Sequence, residues 1–235
     1  MSDLKKQERT AVEAVARRFS ATWEQGSDPP DAYVTVARKR IAVDITTLKR
    51  SSAGQGNPAK PGLRFDKVAT RLVKRLRAAL DGTVPDGMTV LLTITAPIRL
   101  PSKTAAALED KLQTLLGRRS PARDEKATIH GNRVEIRLLR RGSERAPKMI
   151  GFVHNSDSDP LLLLNMTQEL LELIGAEADR PAARTAGDRW LVVIGAGGTS
   201  YLKAYRYIFS QLPMAADLKK ILMAFGNGRV EVLAG

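Results

Sequence analysis

The run WLVVIG at 190–195 contains no polar hydrogen-bonding side chain apart from the tryptophan indole. A strand with one wet face alternates apolar and polar residues, so a continuous apolar run belongs to a strand covered on both faces. That requirement points to a sheet flanked by helices. AYVTVA at 32–37, IAVDITTL at 41–48 and MTVLLTITA at 88–96 read as further strands, and RVEIRLL at 133–139 alternates as a half-buried strand should. MIGFVH at 149–154 is apolar enough to pair with it. Helical spacing recurs between these runs: at 4–23 through Val12, Val15 and Phe19, at 65–80, at 103–116 with Ser102 as its cap, and near 160–174. A helix or turn near 199–210, a last helix at 215–224 and the strand RVEVL close the chain. SDPPD at 27–31 and RKR at 38–40 read as turns, and SSAGQGNPAKPG at 51–62 as a loop. The expectation is an α/β protein with a mixed central sheet, spanning 1–235 as one domain.

What such a chain can do chemically is narrowed by what it lacks. There is no cysteine, which removes disulfides, thiolate zinc sites and a cysteine nucleophile, and His130 and His154 are the only histidines. Carboxylates, lysines and hydroxyls are left. MSDLKKQERT at the start has no apolar signal core, and Leu161–Leu164 is too short to span a bilayer, so a soluble cytoplasmic protein without a membrane partner is expected.

The formal net charge is +13. Residues 51–150 hold 20 Lys and Arg against 9 Asp and Glu, whereas 151–200 hold 3 against 7. An excess confined to one segment suggests a surface for a polyanion, with general solubility as the bland alternative. On the helix at 65–80, Arg64, Lys67, Arg71 and Lys74 are spaced three, four and three apart, flanked by Arg75 and Arg77. They form one stripe, with Val68, Leu72, Leu76 and Leu80 on the other side. Arg118-Arg119, Arg137 and Arg140-Arg141 extend the basic set. No aromatic interleaves the stripe, so phosphate contact rather than base stacking is expected, DNA or RNA being equally suitable.

The sharpest local feature is Asp44 inside IAVDIT. Alternation puts Ile41, Val43 and Ile45 on one face and Asp44 with Thr46 on the other. A carboxylate there is partly buried and needs a partner. A hairpin would bring it Asp31, which follows Pro30, and two converging carboxylates suit a hard cation, Mg²⁺ or Mn²⁺. The plain alternative has Asp31 capping the turn and Asp44 paired with Arg38 or Arg40. GAGGTS at 195–200 invites a phosphate-loop reading, but it meets neither GxGxxG nor GK[ST], and a tight turn is expected there.

A leading helix with a glutamate, Pro30-Asp31, a hairpin and an apolar strand carrying Asp44-Ile45-Thr46 resembles the layout of the PD-(D/E)XK nuclease superfamily, over roughly residues 5–48 and more loosely 160–174 and 190–195. The resemblance implies a restriction-endonuclease-like fold, with an α+β insertion at 51–158 between core strands. It implies a Mg²⁺- or Mn²⁺-dependent nuclease hydrolysing phosphodiesters in DNA or RNA. Asp31, Asp44, the Ile45 carbonyl and Glu8 (or Glu13) would be the metal ligands. The family's lysine should stand at position 46, where this chain has Thr46. Gln168 is the nearest polar substitute on the later helix, and Lys67 or Lys74 would serve only if their helix folded over the site. The alternative implied is a non-enzymatic nucleic-acid- or partner-binding module that keeps the nuclease fold.

Overall fold

A computed structural model of the chain describes residues 4–27, 29–48, 63–64, 67–118, 123–140, 147–179, 188–195, 201–212 and 218–235. The protein is α/β, with two mixed sheets and, among the described residues, five helices. It divides into two compact units: residues 1–50 with 176–235, and residues 51–175.

The first unit begins with α1 (Lys6–Arg18), followed by β1 (Thr22–Gln25), β2 (Ala32–Val36) and β3 (Lys39–Thr47). The helix expected to reach Trp23 stops early, and residues 22–25 pair antiparallel with β2 instead. Gly26 then donates its N–H to the Asp31 carbonyl at 2.9 Å. A Cβ at Gly26 would stand 1.9 Å from the Pro30 carbonyl oxygen, so only glycine closes this turn. The β2–β3 hairpin turns at Ala37 and Arg38, both left-handed, and Lys39 and Arg40 already belong to β3.

After the second unit come β8 (Arg189–Gly195), α5 (Leu202–Gln211), β9 (Leu218–Phe225) and β10 (Val230–Ala234). The strand order is β1-β2-β3-β8-β9-β10, with β3, β8 and β9 parallel and the outer pairs antiparallel. The helix expected at 215–224 is therefore a strand from Leu218 onward: LKKILMAF is ambiguous by period, and pairing on both sides decides it.

One face of this sheet carries Ile41, Val43, Ile45, Trp190, Val192 and Leu222, packed against Val12 and Val15 of α1. Phe19 reaches Trp190, with ring centroids 4.8 Å apart. The opposite face carries Asp44, Leu191, Val193 and Glu231 by register. There Arg206 of α5 bonds Glu231 at 2.8 Å.

The second unit runs α2 (Lys67–Leu80), β4 (Met88–Thr95), α3 (Pro101–Leu116), β5 (Asp124–Ile129), β6 (Asn132–Arg140) and β7 (Met149–His154), and the first part of α4 (Pro160–Asp179). Its sheet is ordered β5-β6-β4-β7. MIGFVH pairs parallel with β4 and not with 133–139, because β5, which sequence periodicity passed over, takes the other edge of β6. The β5–β6 hairpin turns at His130-Gly131, both with positive φ. Helix α3 starts at Pro101, and Ser102 does not cap it. Buried Asn132 organises that start instead, accepting the Arg99 N–H at 2.7 Å and donating to the Thr104 hydroxyl at 2.9 Å.

Leu72, Leu76 and Leu80 of α2 and Leu108, Leu112 and Leu115 of α3 cover the sheet face formed by Val90, Leu92, Ile94, Val134 and Ile136. Ala69 and Val73 complete α2's buried stripe, whereas Val68 is 44% exposed. The other face carries Thr93, Glu135 and Arg137. Arg137 bonds Asn165 and Gln168 of α4, which places that helix over this side.

Candidate functional site

Register and side-chain alternation bring Asp31 and Asp44 together. Ala32 opposes Val43 in the β2–β3 ladder, so Asp31 stands one step further on, opposite Asp44. Asp31 Oδ2 accepts the Ile45 N–H at 2.6 Å. Ile45 is thus tied to Asp31 through its amide. Thr46 is half-buried on the same strand and opposes Val193.

Asp44 is 1% exposed, and its partner is Arg189. Arg189 opens β8 opposite Ala42, and side chains two apart share a face, so its guanidinium lies along the Asp44 side of the sheet. Its Nε donates to Asp44 Oδ2 at 2.5 Å. A second cation on that oxygen would stand against a guanidinium that is itself 9% exposed. As placed, that oxygen is satisfied by the arginine. Arg38 and Arg40 are not its partners: Arg40 bonds Glu24 at 2.7 Å and stacks over Tyr33, its guanidinium carbon 3.6 Å from the ring centroid.

Glu8 is not brought to this pair. Helix α1 packs on the Ile41–Val43–Ile45 face, so the sheet separates it from the Asp44 side chain. Glu8 Oε2 accepts the Lys5 N–H at 2.8 Å and closes the first turn of its own helix. Glu13 forms a helical ion pair with Arg9 at 3.5 Å. Gln168 belongs to the second unit, where it accepts from Arg123 at 3.0 Å and donates to Glu172 at 2.8 Å. No group of three or more His, Asp or Glu placed to hold a metal ion occurs among the described residues.

The basic stripe has a different geometry. Lys67, Arg71, Lys74 and Arg75 are exposed, and α2 contains no acidic residue. None of the four forms an ion pair among the described residues. Arg64 is exposed on the approach to the helix, its N–H bonded to the Val153 carbonyl at 2.8 Å. Leu72 and Leu76 bury the opposite side, so packing holds the charged face outward.

Other members of the basic set separate. Arg137 is buried, its Nε 2.6 Å from Asp124 Oδ1, and is removed from any phosphate surface. Arg118 pairs with Glu125 at 3.5 Å. Arg140 is exposed, and with Arg118 and Arg123 it lines a cleft of about 700 Å³ floored by Leu116, Leu138 and Leu139. Arg119, Arg141 and the segment 196–200 lie outside the described residues. The charge excess is also less local than the sequence suggested. Unit 51–175 holds 20 basic and 13 acidic residues, and the remainder 18 and 12, because α4 and its approach return acid to the same unit. Within its unit, α2 concentrates exposed positive charge, carrying Lys67, Arg71, Lys74 and Arg75 and no acidic residue.

No helix among the described residues is long and apolar enough to cross a membrane. No known protein family, curated protein or solved structure matches this chain.

Proposed function

We propose that this protein binds nucleic acid through the outer face of α2, contacting phosphates rather than bases. The observation that carries the reading is the row Lys67, Arg71, Lys74 and Arg75, exposed on one packed helix without an acidic partner among the described residues. Like charges at three- and four-residue spacing destabilise a helix, and a polyanion reverses the sign of that term. In this reading the protein is a binding module, and the Asp44–Arg189 pair serves the fold of the first unit. Fluorescence anisotropy with labelled duplex DNA and RNA across a salt series tests it. Four neutralised phosphates give a slope of about −3.6 in log K against log salt for duplex DNA. Lys67→Ala with Arg71→Ala flattens it by about half and weakens all sequences alike. Unchanged affinity in that double variant removes α2 from the interface.

A second reading keeps the enzyme. The Asp31–Asp44 juxtaposition and the placement of β8 beside β3 support a restriction-endonuclease-like core, with 51–158 as its insertion. Catalysis would require Arg189 to leave Asp44, and Thr46 supplies no positive charge. Digestion of plasmid DNA and RNA with Mg²⁺ or Mn²⁺ separates the readings. Cleavage by the wild type that Asp44→Asn abolishes, in a variant shown by circular dichroism to stay folded, establishes the nuclease. Retained binding without cleavage, including in Thr46→Lys, establishes the module.

A further inference from the structure

Three arginines from three elements of the second unit converge on the cleft of about 700 Å³. Arg118 follows the C-terminal end of α3, Arg123 directly precedes β5, and Arg140 ends β6. Among the described residues lining the cleft, Glu172 alone is acidic, and it already accepts the Gln168 side-chain N–H at 2.8 Å. The positive charge is incompletely offset nearby. Glu125 faces both Arg118, at 3.5 Å, and Lys111, so one carboxylate serves two cations. Arg123 bonds the neutral Gln168 amide at 3.0 Å. Arg140 is exposed and forms no ion pair among the described residues.

Shape separates this cleft from the face of α2. A helix is convex and can lie along the phosphates of a duplex. A concavity of this size falls within the roughly 300–1,000 Å³ of small-ligand sites. It admits a nucleotide unit and excludes a duplex, whose major groove alone is about 12 Å wide. Leu116, Leu138 and Leu139 floor it, and no aromatic residue lines it among the described residues. An aliphatic floor takes the flat face of any base, and guanidiniums at the rim take phosphate. The cleft also lies at the end of the sheet to which α2 leads. Val84 and Thr83 bond back to the carbonyl of Leu80, the last residue of α2, at 2.9 and 3.0 Å. Pro85 and Met88, just beyond, line the cleft. Lys74 stands six residues before Leu80, about 9 Å along the helix axis.

Resting on the nucleic-acid reading of α2, we propose that this cleft receives a single strand, so that the preferred ligand is a duplex ending in an unpaired tail. The duplex lies on α2 and its unpaired strand continues into the cleft. There Arg118, Arg123 and Arg140 hold its phosphates and the leucine floor takes a base face.

Fluorescence anisotropy with the full-length protein tests it, comparing a blunt DNA duplex with the same duplex carrying a single-stranded thymidine tail. The tail should raise affinity about tenfold at low salt and steepen the slope of log K against log salt by about 2, three single-strand phosphates at roughly 0.7 each. Arg123→Gln with Arg140→Gln should remove most of the difference between the two probes. Lys67→Ala with Arg71→Ala should weaken both probes and keep their ratio. A tailed probe that binds no better than the blunt one, while the α2 variant still weakens both, overturns the cleft and leaves the α2 reading standing. A tail preference that survives Arg123→Gln with Arg140→Gln places the strand elsewhere and also overturns the proposal. Blunt-duplex affinity unchanged by Lys67→Ala with Arg71→Ala removes α2 itself, and with it the path from helix to cleft.

Discussion

Each unit lays an arginine on a sheet face and bonds it to an aspartate, yet the two pairs do different work. Arg189 and Asp44 in the first unit meet at 2.5 Å, with side chains 11% and 2% exposed. Arg137 and Asp124 in the second meet at 2.6 Å, but the Asp124 side chain is 51% exposed and Arg137 also bonds Asn165 at 2.7 Å. One aspartate is sealed between strands, and the other sits in β5 at the edge of its sheet. Removing a partner from a sealed pair strands a buried charge. Removing one from a half-wet pair lets water and the remaining acceptors take over.

The largest expected effect follows from that contrast. Asp44→Ala should cost about 3–5 kcal/mol of folding stability, by removing one partner of a buried ion pair. Replacing both partners, Asp44→Leu with Arg189→Met, should recover most of the loss in urea unfolding. A loss below about 1 kcal/mol in the single variant would show that the pair is wetter than its burial implies.

Acid should act next, through His154. Burial lowers its pKa from 6.5, with Arg133 adding to that shift and the Asn155 carbonyl, Glu135 and Asp159 opposing it. Below pH 6.5 the unfolded chain binds a proton that the folded one resists, so this contribution is present above 6.5 and falls away as pH drops toward the lowered value. His154→Gln should flatten the stability profile in that window. An identical profile in wild type and variant removes His154 as the cause.

Asp124→Ala should cost about 1 kcal/mol, the scale of a partly exposed pair. A cost as large as that of Asp44→Ala would erase the distinction between the two units. The smallest effect on stability belongs to Lys67→Ala with Arg71→Ala, within about 0.5 kcal/mol of wild type because both side chains are exposed. The same variant should lose nucleic-acid affinity steeply at low salt. A large change in stability would instead give those residues a structural role.

Local periodicity carried the sequence reading where one face of an element is buried. IAVDITTL placed Asp44 opposite the Ile41–Val43–Ile45 face, and Pro30-Asp31 put the second carboxylate within one hairpin of it. It failed where the signal was weak or shared by two structures. DEKATI is an edge strand with half its residues exposed, and LKKILMAF fits a buried helix as well as a strand. Spacing alone puts Val68 in the buried stripe of α2, whereas the helix is rotated so that Ala69 and Val73 fill that place.

The sequence by itself determined the α/β class, the alternating face of β3 and the unopposed charge of α2, because each follows from spacing within one element. Only the tertiary structure decided what those features meet. Arg189 lies 145 residues from Asp44 and reaches it through a parallel β3–β8 pairing that no local pattern encodes. The sheet's two-sidedness puts Glu8 and Asp44 on opposite faces, although the family resemblance implies both as ligands of one ion. The polar side chains around His154 likewise come from three strands and the turn before α4, and only closing the second unit's sheet gathers them. Long-range pairing sets such meetings, and its register is fixed by burial summed over whole strands and not by any residue's immediate neighbours.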